Sequence, residues 1–511
     1  MQLRRVAVLG GGPGGLYAAR LLKLADPACE VVVHEQGDPD TTFGFGVGLA
    51  AGTQRKLEAA DPDTLREIAA AGLRHNMTMR VGPAVARVVN DRLIGIARTE
   101  LLAVLQRHAE KAGVELRFGT RCAAADLDAD VVVAADGVSS ATRENGDFGA
   151  RIDVGKGLYL WCGTDFALPD AVFAPVTTEH GTFVTHAYPY SADRSTFLVE
   201  TDEDTWRRAG FDVTTAALEM VPPAPDASDE TSLRYLESIF AELLRGRPLI
   251  GNRTRWLRFR TVHAARWSDG NTVLLGDAAH TAHFSIGSGT KLAMEDAIVL
   301  VEQLRTAPDR ATAFARYEEI RRPAVARLQE LARRSRLWWE SFPARMHLPV
   351  EQLMVAYMSR AGNVPLDRFA RSSPDVVGPA LRQYAGGRPH VDPAGGDLTG
   401  WVLGRPLTHG GRRFADRTTV PTLARIESDL DDPWSPDGDA VVARARATDG
   451  VLLAGPATRP ALLTRLDLAE RVRLETGTLT AVEGPAALRD DLAVGLVSGR
   501  TDLVALIEET P

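Results

Sequence analysis

The chain has 511 residues, which at about 100–200 residues per domain gives room for roughly three domains and excludes a single small module. Hydrophobic residues make up 45% and charged residues 25%, the balance of a globular chain with ample apolar surface to bury and no cause for disorder. A net charge of −8 provides no general basic field, so neither nucleic acid nor an anionic membrane is expected as a partner.

Three cysteines, Cys29, Cys122 and Cys162, lack metal-ligand spacing and are too few for a disulfide framework. A reducing compartment, hence a cytoplasmic location, and no metal are expected. Every long apolar stretch is broken by charge, glycine or proline, so no run of about 18 apolar residues could span a bilayer. The opening MQLRRVAVLGGGPGGLYAARLL has the basic start of a secretory signal. Its glycines, however, fall where a strand-to-helix turn needs them, and it reads as a first βα unit.

Residues 5–9 form a β-branched and aliphatic run, and Gly10, Gly12 and Gly15 then make GxGxxG, with Gly14 inside it. Apolar residues continue at helical spacing over 16–24. A second strand over 30–34 ends at Glu35, twenty residues beyond Gly15. In a dinucleotide site Gly10 makes the tight turn, Gly12 lets the backbone approach the pyrophosphate, and Gly15 lets helix and strand pack closely. The helix amides hold the phosphates, and Glu35 accepts from the adenosine ribose. The competing reading is a glycine-rich turn that binds nothing.

GxGxxG alone does not separate FAD from NAD. Further on, the buried strand DVVVAA over 130–135 leads into Asp136-Gly137, with Ser140 and Arg143 completing D-G-x-x-S-x-x-R. A later strand over 272–275 precedes Gly276-Asp277-Ala278-Ala279-His280 and Gly287-Ser288-Gly289. With these three fingerprints in this order, the sequence resembles the class A flavoprotein aromatic hydroxylases, which share the para-hydroxybenzoate hydroxylase fold. The resemblance covers about residues 1–375.

Three segments narrow the resemblance: Thr42-Phe43-Gly44-Phe45-Gly46-Val47, His186-Ala187-Tyr188-Pro189-Tyr190, and the run from His280 to Lys291. They look like the aryl-CoA branch, which holds salicylyl-CoA hydroxylases and 2-aminobenzoyl-CoA monooxygenases, with the tryptophan hydroxylase of violacein assembly more distant. Phe284 stands where most of the wider class has proline, and Lys291 where most has asparagine; the aryl-CoA branch shares both departures.

The resemblance implies an α/β fold: an FAD-binding Rossmann-like (GR2-type) domain over 1–155 and 250–310, interleaved with a substrate-binding β-sheet domain over 156–249. A helical segment over 311–385 and a linker over 386–400 follow. It implies FAD and NAD(P)H as cofactors and O2 as co-substrate, a flavin C4a-hydroperoxide, and transfer of its distal oxygen to an electron-rich aromatic ring. The substrate expected is a small aromatic molecule carried as a CoA thioester. Asp277 would bond the ribityl chain, while amides near Gly287, Gly289 and Thr290 would face the pyrophosphate and the flavin. Asp136 and Gly137 belong to the motif linked to both FAD and nicotinamide. Arg98 matches an arginine that contacts FAD, the alternative being an exposed cation at a helix start. A homo-oligomer is allowed for.

In the strand read over 182–188, period-two alternation places Val184, His186 and Tyr188 on one face and Phe183, Thr185 and Ala187 on the other. His186 and Tyr188 are catalytic candidates that could bind a ring substituent, against the plainer reading of a satisfied histidine and a packed tyrosine. His283, just after the Gly-Asp fingerprint, is the leading catalytic candidate, to accept a phenolic proton or support an amino group; packing alone is the alternative. Arginines 316, 321, 322, 327, 333, 334 and 336 could hold coenzyme A phosphates, but pairing with Glu318, Glu319 and Glu330 at helical spacing is preferred.

About 110 residues remain, 401–511, and a full (β/α)8 barrel needs roughly 200 or more. This α/β tail looks like the last part of an old-yellow-enzyme barrel, a truncated barrel, with Gly499-Arg500 at the phosphate-contacting turn. The early strands are missing, so FMN is not expected and a structural or interaction role fits better. Other readings kept open are a free aromatic acid, tryptophan-like or carrier-bound substrate, and a flavoprotein that inserts no oxygen.

Overall fold

The computed structural model describes residues 1–508 except 40, 41, 43, 91, 221–226 and 388–395, with the backbone alone for 217–220. Phe43 and most of the linker at 386–400 therefore lie outside the described residues. The chain forms two units, residues 1–78 with 89–340, and residues 79–88 with 341–511.

The first unit is mixed α/β. Its Rossmann-like sheet has six strands, ordered Ser268–Asp269, Thr272–Leu274, Val131–Ala134, Arg5–Leu9, Glu30–His34, Glu115–Arg117. Apart from the first pair, which is antiparallel, neighbours run parallel. The central strands are buried, as their unbroken Val runs require when helices cover both faces. The helix Pro13–Ala25 starts with proline at its first turn, where the missing N–H costs nothing.

A second, antiparallel sheet holds Ala150–Thr164, Arg194–Thr201, Gly181–Ser191 and Ala171–Thr178 in that order, with Trp256–Ala264 also on Ala150–Thr164. The strand Trp256–Ala264, which the sequence division put with the dinucleotide fold at 250–310, thus pairs in this other sheet. The strand Ala171–Thr178 pairs with Gly181–Ser191 with Pro175 inside it. Phe183, Ala187, Phe197 and Val199 point to one side, into a core with Phe211, Leu233, Leu236 and Phe240. This is the alternation expected of the 182–188 strand, and it leaves the His186 face for the site.

Two long helices follow, Gly289–Thr306 and Arg310–Glu340. Pairing describes most of the arginine cluster: Arg322 meets Glu318, Arg333 and Arg334 meet Glu330, and Arg336 meets Glu340. Arg321 and Arg334 are buried rather than on a solvated face. The segment read as one helical block at 311–385 divides at residue 340 between the two units.

In the second unit, Ala424–Glu427, Gly450–Ala454, Leu479–Pro485 and Leu503–Ile507 make a four-stranded sheet in sequential order, all parallel. The helices Pro436–Arg446, Arg459–Thr476 and Arg489–Val497 form the crossovers. Gly499-Arg500 corrects one expectation. It precedes Leu503–Ile507, at the amino end of that strand, whereas ligands of parallel sheets bind at the carboxyl ends. Arg500 is buried, 3.4 Å from Asp467, so it offers no phosphate-contacting turn.

Within this unit Arg345 makes two bonds to Glu470, 2.7 and 2.6 Å, with both side chains buried. Burial pushes Glu470 up, but Arg345 outweighs it and holds the carboxyl below its ordinary value. Arg345→Met should therefore destabilise this unit by about 3 kcal/mol, because a buried carboxylate loses its partner. Urea denaturation followed by circular dichroism should show the lower midpoint.

Candidate active site

At the end of Arg5–Leu9 the chain turns through Gly10 at φ +103°, where a Cβ would stand 2.3 Å from the Ala135 carbonyl oxygen. Gly15 packs as closely, its Cβ position being 2.1 Å from the Gly10 oxygen, and at Gly14 a Cβ would meet Leu275 at 2.6 Å. Gly12 differs, since a Cβ there would meet nothing within 4 Å. Glu35 turns back to this loop, accepting from the amides of Gly11 at 2.6 Å and Gly37 at 2.7 Å. Its carboxylate is thereby fixed beside the glycine turn.

The other two fingerprints are joined to each other. Asp136 accepts from the amide and hydroxyl of Thr142, at 3.1 and 2.9 Å, while its Oδ1 is buried without a partner. Ser140 caps the helix Ala141–Asn145, and Arg143 donates to the carbonyl oxygens of Ala278 at 2.9 Å and Val138 at 2.7 Å. Gly276 and Asp277 lie in a short 3-10 turn, and the helix Gly289–Thr306 begins at Gly289-Thr290, with the Ser288 hydroxyl buried and unpartnered. Cβ positions at Gly137 and Gly287 face open space, and the nearest atom to one at Gly289 is Asp277 Oδ1 at 4.0 Å.

Arg98 opens the helix Arg98–Ala112, its amide bonded to Phe45 O at 2.7 Å. Its Nε is buried with no hydrogen-bond partner, which corrects the alternative of an exposed helix-start cation. Burial lowers its pKa, with Asp277 and Tyr188 acting the other way. Burial likewise pushes the Asp277 carboxyl up, against His280 and Arg98. An unpartnered Arg98 Nε, a buried carboxyl at Asp277, orphaned polar atoms on Asp136 and Ser288, and open glycines at 12, 137 and 287 together fit a bound dinucleotide. Phosphate and ribityl groups would supply the missing partners.

Behind the Gly-Asp turn, Asp296 is fully buried and receives Gly276 N at 3.2 Å, His280 Nε2 at 2.8 Å and Arg321 Nε at 2.7 Å. Burial pushes its pKa up, but His280 and Arg321 outweigh this and hold it below the ordinary carboxylate range.

The free face of the antiparallel sheet carries the candidate chemistry. His186 lies with Phe173, Phe284 and Trp339 around it, ring centroids 5.3, 6.0 and 4.2 Å away. Tyr159 and Phe259 add rings against Phe284. His283 is buried, its Nδ1 2.8 Å from Ser285 Oγ, which is 2.7 Å from Ser335 Oγ. Between the histidines stands Glu200, buried, with Oε2 2.8 Å from His186 Nε2 and Oε1 3.8 Å from His283 Nε2. The His186 contact is out of line for a hydrogen bond, leaving Glu200 Oε2 and His186 Nε2 without aligned partners. Such a group costs roughly 1–3 kcal/mol, more when charged.

Glu200 was missed by sequence reasoning. The signal was present, since a lone acid ends the apolar strand STFLVE. Tyr188 is corrected in the other direction. It shares the His186 face, but its one proton goes to the Gly46 carbonyl at 2.7 Å, and burial pushes its pKa up to about 12. It buttresses the 44–46 segment and has no proton left to offer a substrate. A surface hollow of about 940 Å³, bordered by Arg266, Phe314, Glu318, Arg322 and Pro323, contains none of these residues.

The FAD binding domain family matches residues 123–332. The fold is shared with 2-methyl-3-hydroxypyridine-5-carboxylic acid oxygenase, at TM-score 0.53 and 19% identity over 74% of this chain and 97% of that one. The chain is 38% identical to a salicyloyl-CoA 5-hydroxylase of a Streptomyces species, over 98% of this chain and 99% of the relative. It is 37% identical to the 3-hydroxy-4-methyl-anthranilyl-[aryl-carrier protein] 5-monooxygenase of Streptosporangium sibiricum, over 70% of this chain and 95% of that protein. Fold and fingerprints define an FAD-binding flavoprotein. The chain belongs to the class A FAD-dependent aromatic hydroxylases, and it is an FAD-dependent aromatic monooxygenase with NAD(P)H as the usual reductant of the family.

Two predictions follow from the cradle. Gly12 has φ −73° and ψ 175°, a backbone valine adopts, so Gly12→Val should fold and emerge without flavin colour. Gly15→Val should lose the fold itself; absorbance at the flavin band and thermal melts separate the two outcomes. Asp277→Asn should raise the melting temperature of the apoprotein at pH 7. A carboxyl whose pKa is raised by folding opposes the fold once ionised, and that penalty disappears as pH falls below the ordinary value of ~3.9. Scanning calorimetry of the apoprotein at pH 7 and pH 4 checks the sign.

Proposed function

We propose that this enzyme hydroxylates the ring of an aryl thioester, a hydroxy- or aminobenzoyl-CoA. The observation that carries the reading is a wall of aromatic side chains enclosing His186 and His283, one from the substrate sheet and one from the loop after the Gly-Asp fingerprint. An apolar pocket with few polar groups suits a neutral thioester, whose acyl group brings no charge needing a buried counter-ion. The full-length likeness to a salicyloyl-CoA 5-hydroxylase supports it. The Streptosporangium relative supports a second reading, an acyl group on a carrier protein, which keeps the thioester.

Gly10, Gly12, Gly14 and Gly15 would hold the FAD pyrophosphate against the helix amides, with Glu35 on the adenosine ribose. Arg98, Asp136, Gly137, Gly276, Asp277, Gly287, Gly289 and Thr290 would border the flavin half. When bound, FAD takes reducing equivalents from NAD(P)H and delivers one oxygen atom of O2 to an electron-rich ring carbon. The amino end of the helix Gly289–Thr306 would supply positive potential to a bound flavin. His283, oriented by Ser285, would accept or share the proton of the ring substituent, and His186 would hold that substituent from the sheet side. The aromatic wall would exclude water.

We read the succession of these sheets along the chain as the GR2-type interleaving of FAD-binding and substrate domains. We read 401–511 as the closing part of a (β/α)8 barrel, because its four parallel strands are sequential with helical crossovers. Four strands cannot close a barrel that needs eight, so this region would serve structure or interaction rather than bind FMN.

The test compares coupled, NAD(P)H- and O2-dependent hydroxylation of salicyloyl-CoA and 2-aminobenzoyl-CoA with that of salicylate and anthranilate. Product from the thioesters is expected; coupled product from the free acids alone would sink the reading. His283→Ala should keep FAD, read from absorbance, while hydroxylation falls by ~10²–10⁴.

A further inference from the structure

We infer that Glu200 is the specificity-determining group of the substrate pocket: it accepts a hydrogen bond from the hydroxyl or amino substituent of the ring and, by its charge, rejects the free aromatic acid. The inference rests on the proposed aryl substrate and deepens it.

Three observations lead here. Glu200 lies on the side-chain face of the sheet that is turned away from the core, paired in register with Val184 on one neighbour and Tyr159 on the other. It is buried among the two histidines and Tyr159, whose phenol stays protonated, its pKa pushed up to about 12 by burial and then by Glu200 itself. Finally, Glu200 Oε2 has no aligned donor, although His186 Nε2 stands 2.8 Å away. A native protein rarely leaves a buried carboxylate oxygen unsatisfied, so such a group points to a ligand donor.

The consequence for selectivity is electrostatic. A hydroxyl or amino group ortho to the acyl carbon can donate to Glu200 on binding, with His283 Nε2 3.8 Å from the carboxylate to take the proton on during reaction, whereas an ionised benzoate would place a second carboxylate in the same buried pocket. Like charges in one low-dielectric site oppose each other, and either one must take a proton or the ligand stays out. Formation of the thioester removes that charge and leaves the ring donor intact. The carboxylate thus favours one ligand by a bond and disfavours the other by repulsion.

Glu200→Gln keeps the side-chain shape and removes the charge. In the full-length FAD-loaded enzyme, kcat/KM for salicyloyl-CoA and for salicylate would be measured in wild type and variant, with FAD content recorded. The expected result is a thioester-to-acid ratio lowered by at least ~10-fold, with a lower KM for salicylate and a reduced rate on salicyloyl-CoA. An unchanged ratio overturns the inference. The wild-type preference by itself tests the thioester reading, and the change of ratio on substitution tests Glu200, so the two can fail separately. Should the variant shed FAD, the wild type decides by ligand. Salicyloyl-CoA binding at least ~10-fold tighter than benzoyl-CoA, which lacks the donor, sustains the inference, and equal Kd values overturn it.

Discussion

The first unit depends on one buried carboxylate. Asp296 takes a backbone amide from the Gly-Asp turn, an imidazole from the loop after it, and a guanidinium from the long helix Arg310–Glu340. A carboxylate with no solvent contact is costly unless its acceptor sites are met by charge-assisted donors, and here three different segments supply them. The Gly-Asp fingerprint, on Oδ2, and the helix that carries Ser335 and Trp339, on Oδ1, are therefore fixed to the two oxygens of one carboxylate. A change on either segment is felt at this junction before it is felt in the pocket.

Placement of the chemistry comes from the alternation of a single strand. Along Gly181–Ser191, Phe183 and Ala187 enter the apolar core while His186 and Tyr188 face the other way. A shift of one residue in register would bury the histidine in that core and expose phenylalanine to the site. The bond from the Tyr188 hydroxyl to Gly46 and the bond from Gly46 N to Thr196 Oγ1 at 2.9 Å pin the register from outside the sheet. The packed tyrosine thus helps to hold the histidine two residues earlier on the face turned away from the core.

The cofactor half was legible in the sequence because its requirements are local. A tight turn and a close packing of helix on strand each demand glycine at a fixed offset, and Gly10 and Gly15 stand at those offsets. The substrate half was legible only to the level of strands and faces. Glu200 lies 14 residues from His186 and 83 from His283 in the chain, and they meet only through the sheet register and the return of the 280–287 loop. The buried Arg321 was hidden by its place in an arginine-rich run that read as paired at helical spacing. Periodicity reports which side a residue faces; it does not report which distant segment waits there.

The C-terminal unit bears on how much of the chain the hydroxylation requires. The Streptosporangium relative is matched over 95% of its own length by 70% of this chain. The unmatched share is close to the third of the chain that residues 341–511 make up. Every site residue named above lies before residue 341, and the later residues have their own core around Phe414, Leu479, Ala481 and Leu503. Their Arg345–Glu470 pair is satisfied inside the same unit. An apolar core and a buried ion pair closed within one stretch of chain are the features of a separate domain.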